Sequence, residues 1–270
     1  MGRVPARLTG PGEGAGGAEP DPTRPAAGGP EAAGGPEAAG GSDELVVSEV
    51  FGPTFQGEGP SVGRRAGFVR LGRCNLDCRW CDTPYTWDWD RYDPAAELRR
   101  EPVTAVVERL AAMEPEIVVV TGGEPLLQAR RLLPLLAACR DRAWPVEVET
   151  NGTRAPDPAL VPLVARWNVS PKLANSGVAA ADRIRPDALA ALVATGRAVF
   201  KFVVTGEGDL DEVAALAAEH RLAPVWLMPE GTDAATVLDR LRRLADPALA
   251  RGWNVTPRLH VLLWGDERGR

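Results

Sequence analysis

The sequence contains few of the residues from which disulfide scaffolds, imidazole-rich sites and membrane segments are built. It has four cysteines and two histidines among 270 residues. So few cysteines exclude a disulfide scaffold, and two histidines exclude a site built mainly from imidazole. No run of about 18 apolar residues could span a bilayer, and the N-terminus lacks the charged-then-apolar order of a signal peptide. These absences predict a cytoplasmic protein without a membrane partner, whose thiols stay reduced and can bind metal.

An excess of cationic charge is also missing. The chain carries 31 lysines and arginines against 37 aspartates and glutamates, a net charge of -6. Binding to nucleic-acid phosphates rests on clustered cationic charge, so we expect no direct nucleic-acid partner. One or two arginines could still hold a small anionic substrate.

Residues 1–43 differ in composition from the rest of the chain. They are rich in Gly, Ala, Pro and Glu and have almost no aromatic or branched apolar side chains. Such a segment cannot bury enough apolar surface to offset the entropy lost on ordering. We therefore predict a disordered tail over residues 1–43 and a catalytic domain over residues 44–270.

From Leu45 onward, short apolar runs alternate with longer amphipathic ones, which is typical of β/α units around a mainly parallel sheet. The predicted strands cover residues 66–71, 116–120, 146–149, 167–169, 199–204 and 225–228. The predicted helices cover residues 103–113, 129–142, 186–194, 209–219 and 232–244. The fold class is α/β, a partial (β/α) barrel of about six mainly parallel strands.

Nearly every predicted strand ends in a polar or glycine-rich segment. These segments are LGRCNLDC, TGGEP, ETNG, SPK and MPEG. A glycine pair after one strand is usually only a turn, but five such segments in succession favour a shared site. Because active sites of β/α barrels gather at the carboxyl ends of the strands, we expect the five segments to meet.

Three of the four cysteines form a C-x3-C-x2-C motif: Cys74, Cys78 and Cys81. Cysteine normally ligates each iron of a 4Fe-4S cluster, so three thiolates leave one iron open. That iron could chelate a small molecule such as S-adenosylmethionine through its amino group and carboxylate. The alternative is structural zinc, which needs four closed ligands. The remaining thiol, Cys139, lies in an apolar helix pattern where a buried, inert cysteine is expected.

The cysteine loop, with Trp80 directly before its last cysteine, resembles the radical S-adenosylmethionine superfamily. Six further runs make the resemblance more specific. They are FGPTFQGEGPSVGRRAGFVRLGRCNLDCRWCDTPYTWDWD, VETNGT, NVSPKLANSG, KFVV, MPEG and LHVLLWG. From about Ser48 to Gly265 these runs are similar to the 7-carboxy-7-deazaguanine synthase family. Many activities share the cysteine loop, so the family assignment depends on QGEG, CDT and SPK together.

The resemblance implies a lyase of queuosine and 7-deazapurine biosynthesis. In that reaction a 5'-deoxyadenosyl radical takes a hydrogen from carbon 6 of 6-carboxy-5,6,7,8-tetrahydropterin. Ring contraction with loss of ammonia then gives 7-carboxy-7-deazaguanine. The implied cofactors are a 4Fe-4S cluster, S-adenosylmethionine and Mg²⁺. The implied partners are the pterin substrate, an electron donor such as flavodoxin or ferredoxin, and a second copy in a homodimer.

The resemblance also assigns residues to the site. The metal ligands would be Cys74, Cys78 and Cys81 for the cluster and Thr83 for Mg²⁺. The residues expected at S-adenosylmethionine are Trp80, Asp82, Gly123, Glu124, Ser170, Pro171 and Lys172. The residues expected at the substrate are Phe55, Gln56, Gly57, Glu58, Arg70, Thr121 and His260.

Several of these residues also have ordinary structural interpretations. Asp82 could cap a turn, Arg70 and Lys172 could be surface charges, and His260 could be a packed residue beside a strand-like apolar run. Some family members use their C-terminal carboxylate at the substrate, but ten residues follow His260 here, so Arg270 receives no such role.

Two other functions remain open. One is another radical S-adenosylmethionine enzyme, such as a glycyl-radical activase, which would need a protein-docking surface and would not predict QGEG or CDT. The other is a nonenzymatic zinc-binding interaction module, which would hold zinc and no iron.

Overall fold

A computed structural model describes residues 43–270, and every structural statement below concerns that part of the chain. Except for Asp43, the predicted tail over residues 1–43 lies outside the described residues. The strands are β1 (Glu44–Phe55), β2 (Arg65–Leu71), β3 (Arg99–Pro102), β4 (Ile117–Gly122), β5 (Val146–Thr150), β6 (Arg166–Val169), β7 (Ala198–Val204), β8 (Val225–Pro229) and β9 (Asn254–Val255). The helices are α1 (Pro94–Glu97), α2 (Val103–Ala112), α3 (Ala129–Asp141), α4 (Ala180–Arg183), α5 (Pro186–Ala194), α6 (Leu210–His220), α7 (Ala234–Ala250) and α8 (Leu259–Trp264).

The strands form one sheet in the order β3-β1-β2-β4-β5-β6-β7-β8-β9. β2 and β4 to β9 pair in parallel, whereas β1 pairs antiparallel with both β2 and β3. The sheet is open, with β3 and β9 as its edge strands. The predicted α/β fold with a mainly parallel sheet is therefore confirmed.

The sheet has three strands more than the six that were predicted. The predicted six are β2 and β4 to β8, and the additional ones are β1, β3 and β9. β1 lacks a clean period of two because its pairing with β2 shifts register twice, once around the Gly52-Pro53 step. β3 is a short, charged edge strand, and β9 has only two residues. None of the three has the continuous apolar run that marks a buried parallel strand.

The five predicted helices are α2, α3, α5, α6 and α7. α7 continues to Ala250 through Pro247, beyond the predicted end at residue 244. The apolar run around His260 is the short helix α8, so its interpretation as strand-like was wrong. Its length of six residues is too short for periodicity to separate a helix from a strand. In the described part of the chain, no helix is both long and apolar enough to cross a bilayer.

The two faces of the sheet differ in chemistry because successive side chains of a strand point to opposite faces. On one face Val120, Val148 and Phe200 belong to a large apolar core that also includes side chains of the helices. On the other face a small apolar cluster occupies the first halves of β2 and β4: Ala66, Phe68, Ile117 and Val119. Farther along the strands that face carries polar residues, which are Arg70, Thr121, Glu149, Asn168 and Lys201. This polar face builds the site.

Candidate active site

A cavity of about 610 Å³ lies at the carboxyl ends of the parallel strands. All five polar segments that follow the predicted strands contribute to its lining, through residues such as Cys74, Thr121, Glu149, Ser170 and Glu230. Of the eighteen residues that the sequence assigned to a site, sixteen line this cavity, and the exceptions are Glu124 and Pro171. The expectation that the five segments meet in space is confirmed.

The cysteine loop forms one side of the cavity. Cys74, Cys78 and Cys81 are free thiols, and two of their sulfurs lie close to N–H groups. The Leu76 backbone N–H donates to Cys74 Sγ at 3.5 Å, and the Trp87 indole donates to Cys81 Sγ at 3.3 Å. Burial raises the pKa of Cys74 to about 12. Thiolates on this loop therefore need the positive charge of bound metal ions, and the N–H donors add to their stabilisation.

The TGGEP segment packs directly against the cysteine loop. A Cβ atom added to Gly123 would lie 2.1 Å from the Arg73 carbonyl oxygen, so only glycine allows this approach. Glu124 is fully buried behind the lining. Its carboxylate accepts hydrogen bonds from the Asn151 and Leu126 backbone N–H groups at 2.7 and 2.9 Å. Glu124 thus ties TGGEP to the ETNG segment. Pro171 is also buried and lies outside the lining.

Glu149 connects two of the predicted substrate residues. Gln56 Nε2 donates to Glu149 Oε1 at 3.1 Å, and Thr121 Oγ1 donates to Glu149 Oε2 at 2.8 Å. Gln56 Oε1 in turn accepts from the Glu58 backbone N–H at 3.1 Å. Both the nitrogen and the oxygen of the Gln56 amide are therefore engaged within the protein. The Glu149 carboxylate, which lies between Gln56 and Thr121, faces the cavity as a hydrogen-bond acceptor.

Glu58 is held by cations rather than left free for a ligand. Lys201 and Arg258 both pair with its carboxylate, and His260 Nε2 lies 3.9 Å from Oε1. Burial opposes its ionisation, but Lys201 and Arg258 outweigh burial and hold the pKa of Glu58 far below its ordinary value. Burial lowers the pKa of His260, so its imidazole is neutral at pH 7. Arg258 also pairs with Asp82. It thereby joins residues 56–59, which we call the substrate loop after the role predicted for them, to the CDT segment.

Helix α8 packs its first turn against the substrate loop. The Leu259 backbone N–H donates to the Gly57 carbonyl oxygen at 2.9 Å. A Cβ atom on Gly57 would lie 2.1 Å from His260 Nδ1, so this contact requires glycine. The residues after α8, from Asp266 to Arg270, also line the cavity. Arg270, which received no role from the sequence, is therefore near the site.

Comparison with known proteins identifies the family. Residues 69–184 match the model of the radical SAM superfamily. The chain is 40% identical over 226 residues to the 7-carboxy-7-deazaguanine synthase of Pyrobaculum aerophilum, covering 83% of this chain and 96% of that protein. It is 38% identical over 232 residues to the 7-carboxy-7-deazaguanine synthase of Hyperthermus butylicus, covering 81% and 92%. The crystal structure of QueE from Escherichia coli is similar with a TM-score of 0.61 and 26% identity, covering 79% and 93%.

The chain belongs to the 7-carboxy-7-deazaguanine synthase family. It is thereby a radical S-adenosylmethionine lyase, and the family implies a 4Fe-4S cluster and S-adenosylmethionine as cofactors. The activase and the zinc module, the two alternatives that the sequence left open, are not favoured.

The cysteine loop fits the cluster that this family implies. Cys74, Cys78 and Cys81 all line the cavity as free thiols on one short loop. Three thiolates there could ligate three of the four irons of a cubane and leave the fourth iron toward the cavity. Cys139 is fully buried in α3 and does not line the cavity, as predicted for an inert thiol.

Lysine and tryptophan form the wall beside the cysteine loop. Lys172 Nζ lies 5.5 Å from the centre of the Trp80 ring and donates to Ser170 Oγ at 2.9 Å. The Trp80 indole is fixed by a 3.1 Å hydrogen bond to Asn175. This wall offers an aromatic surface and cationic donors, which suit an adenosyl group with a carboxylate.

Sequence reasoning missed several residues of the site, among them Glu49, Glu149, Lys201 and Arg258. Lys201 had a usable signal, because a lysine inside the apolar run VFKFVV must be paired if the strand is buried. Glu149 had a similar signal, because it is a charged residue within the strand VEVET. Glu49 could not be found while β1 was missing from the prediction. Arg258 stands in no recognisable pattern.

The contact of Gly123 with the cysteine loop leads to a prediction about iron loading. In Gly123→Ala the new Cβ must displace the backbone at Arg73 and the Cys74 side chain, whose Cβ would be 2.8 Å away. We expect iron per chain after anaerobic reconstitution to fall several-fold from about four. Gly206→Ala is the matched control, since it has an extended backbone and no heavy atom within 4 Å. Full loading of Gly123→Ala would show that the loop does not depend on this contact.

Proposed function

We propose that this chain converts 6-carboxy-5,6,7,8-tetrahydropterin to 7-carboxy-7-deazaguanine with loss of ammonia. The observation that carries the proposal is one cavity whose lining includes the three cysteines together with the Glu149 carboxylate and the Arg70 guanidinium, which suit a carboxylated pterin. When bound, the cluster and S-adenosylmethionine supply the radical chemistry at carbon 6 of the substrate. The residues of this chain bind and orient the reactants and exclude water.

Glu149 is proposed to recognise the aminopyrimidine end of the pterin. A carboxylate offers about four lone-pair sites, and Gln56 and Thr121 occupy only two of them. The other two can accept the adjacent N–H groups of the 2-aminopyrimidinone ring. Lys201 and His260 then hold the substrate loop in place through Glu58. Gly57 lies on that loop, and Phe55 ends β1 directly before it.

Arg70 is proposed to hold the opposite, carboxylated end. Its Nε donates to Glu49 at 2.8 Å, so its terminal nitrogens remain for a ligand carboxylate. Arg70 precedes Cys74 by four residues and pairs in register with Thr121. A carboxylate held there places carbon 6 on the cluster side of the cavity, where the hydrogen must be removed.

Five of the seven residues assigned to S-adenosylmethionine are proposed to contact it directly: Trp80, Asp82, Gly123, Ser170 and Lys172. All five line the cavity next to the cysteines. Glu124 and Pro171 act from behind the lining instead, by fixing the TGGEP and SPK segments.

Thr83 is proposed as the Mg²⁺ ligand. Its hydroxyl lies in the cavity wall, 3.7 Å from Cys81 Sγ. Mg²⁺ prefers oxygen ligands and commonly keeps waters and substrate oxygens in its shell. The substrate carboxylate could complete that shell from the Arg70 side.

We propose two partners for this protein, an electron donor and a second copy of the chain. The cluster needs an external one-electron donor such as flavodoxin or ferredoxin, and a homodimer is expected because two-fold dimers are the commonest oligomers. Reduction of the cluster by each donor and sedimentation of the purified protein test them separately.

Turnover of the carboxypterin tests the proposed function. Protein reconstituted with iron and sulfide under anaerobic conditions is incubated with the pterin, S-adenosylmethionine, Mg²⁺ and a reductant. We expect 7-carboxy-7-deazaguanine and ammonia in equal amounts by mass spectrometry and enzymatic assay, with no product from Cys78→Ala. A reduced cluster that cleaves S-adenosylmethionine but leaves the pterin unchanged would contradict the proposal and point to another radical reaction. One tight zinc with no iron would contradict the enzymatic assignment altogether.

Removing the Thr83 hydroxyl is predicted to weaken Mg²⁺ binding. In Thr83→Ala the Mg²⁺ concentration for half-maximal turnover should rise by about 10- to 100-fold, the range seen when supporting metal contacts are lost. Thr83→Ser, which keeps the oxygen, should restore most of the affinity. Thr104→Ala, on the exposed face of α2, is the control. An unchanged Mg²⁺ titration in Thr83→Ala would remove Thr83 from the metal site.

Neutralising Glu149 is predicted to impair substrate recognition. Glu149→Gln replaces an acceptor with an amide N–H where the pterin presents donors, and hydrogen bonds to charged groups are worth about 1.5–3 kcal/mol. We expect kcat/KM for the carboxypterin to fall about 10- to 100-fold with unchanged iron content. Glu116→Gln serves as the control, because its side chain is 54% exposed. Equal kinetics in Glu149→Gln and the unaltered enzyme would refute the proposed role.

A further inference from the structure

One carboxylate behind the cavity lining, that of Glu49 in β1, holds two arginines. Glu49 Oε2 accepts from Arg70 Nε at 2.8 Å, and Glu49 Oε1 accepts from Arg268 Nε at 2.5 Å. Burial opposes ionisation of Glu49, but Arg70 and Arg268 outweigh it, and the pKa of the carboxyl is lowered. Both arginines line the cavity, one from β2 and the other from the segment after α8. Glu49 therefore fixes two guanidinium groups side by side.

Both guanidinium groups keep donors for a ligand. Within residues 43–270, the Arg70 side chain donates only through Nε, so its two terminal nitrogens have no protein acceptor. Arg268 uses one terminal nitrogen for Glu97 at 2.9 Å, which leaves its other terminal nitrogen without one. Three terminal nitrogens at one wall match the two oxygens of a carboxylate, which has about four lone-pair sites.

The position of Arg268 is fixed by more than Glu49. Its guanidinium lies 3.8 Å from the centre of the Tyr85 ring, and Tyr85 donates its own hydroxyl to Glu49 at 3.1 Å. The Arg268 side chain is 44% exposed, so its ion pairs add little to stability. A binding role explains better than stability why the last residues of the chain are drawn to the cavity wall.

We propose that Arg268 joins Arg70 in a two-arginine clamp for the carboxylate on the substrate, with Glu49 as the residue that positions both. The inference rests on the proposed function, because the clamp needs a ligand with a carboxylate at the cluster side of the cavity.

The clamp makes carboxylate selectivity depend on Arg268. Binding is measured by calorimetry on the anaerobic holoenzyme with S-adenosylmethionine, using the carboxypterin and the same pterin with a neutral carboxamide at carbon 6. In Arg268→Gln we expect the Kd for the carboxypterin to rise about 10- to 100-fold and that for the carboxamide to change little. Arg268→Lys keeps the charge but loses the planar guanidinium fork. Its Kd for the carboxypterin should therefore lie between those of the unaltered enzyme and Arg268→Gln. Arg243→Gln, on a 69% exposed side chain, should match the unaltered enzyme.

Glu49→Gln tests the positioning role. It keeps the size of the side chain but weakens the hold on both arginines, so selectivity for the carboxylate should fall while iron content is maintained. Unchanged selectivity in Arg268→Gln, or equal weakening of both ligands, would overturn the clamp and leave a structural role. If the unaltered holoenzyme binds neither pterin, the proposed function itself fails, which is a separate outcome.

Discussion

The site depends on the alternation of side chains along the parallel strands. Each strand must bury one face against helices, and Val148 and Phe200 do so in the large apolar core. The intervening positions then have to face the other way, where Glu149 and Lys201 lie. A shift of one residue in any strand would exchange the two sets, so the packing of the core fixes the chemistry of the cavity.

Charges on that inner face are tolerated because each is paired. An isolated buried charge is costly, and the structure meets the cost by giving every inner carboxylate two or more donors. Glu49 is held by Arg70 and Arg268, and Glu58 by Lys201 and Arg258. The partners come from segments far apart in the chain. Each carboxylate therefore also links segments that are distant in the chain, which orders the walls of the cavity before any ligand binds.

The sequence predicts those parts of the molecule in which one short segment carries its own signal. The strands β4 and β7 are continuous apolar runs, and the cysteine loop and SPK are contiguous motifs, so these were found. β1 was missed because bulges interrupt its alternation. Arg258 and Glu49 were missed because their roles depend on distant partners. Arg258 pairs with Asp82, 176 residues away, and Glu49 pairs with Arg268, 219 residues away. Pairing over such distances is a property of the fold and leaves no local pattern.

Because the sheet is open, its strands alone do not enclose the cavity, and the cavity must exclude water during radical chemistry. Here the segment after β1 is joined to the segment after β9 by loop contacts rather than by a strand ladder. The Gly59 backbone N–H donates to Thr256 Oγ1 at 2.8 Å, and the Leu259 backbone N–H donates to the Gly57 carbonyl oxygen. The substrate loop itself therefore closes this side of the cavity. The negative charge of its Glu58 is neutralised by Lys201 of β7. The same loop carries Gln56, which holds the Glu149 carboxylate proposed to bind the pterin, so closing the cavity and orienting the substrate depend on one segment.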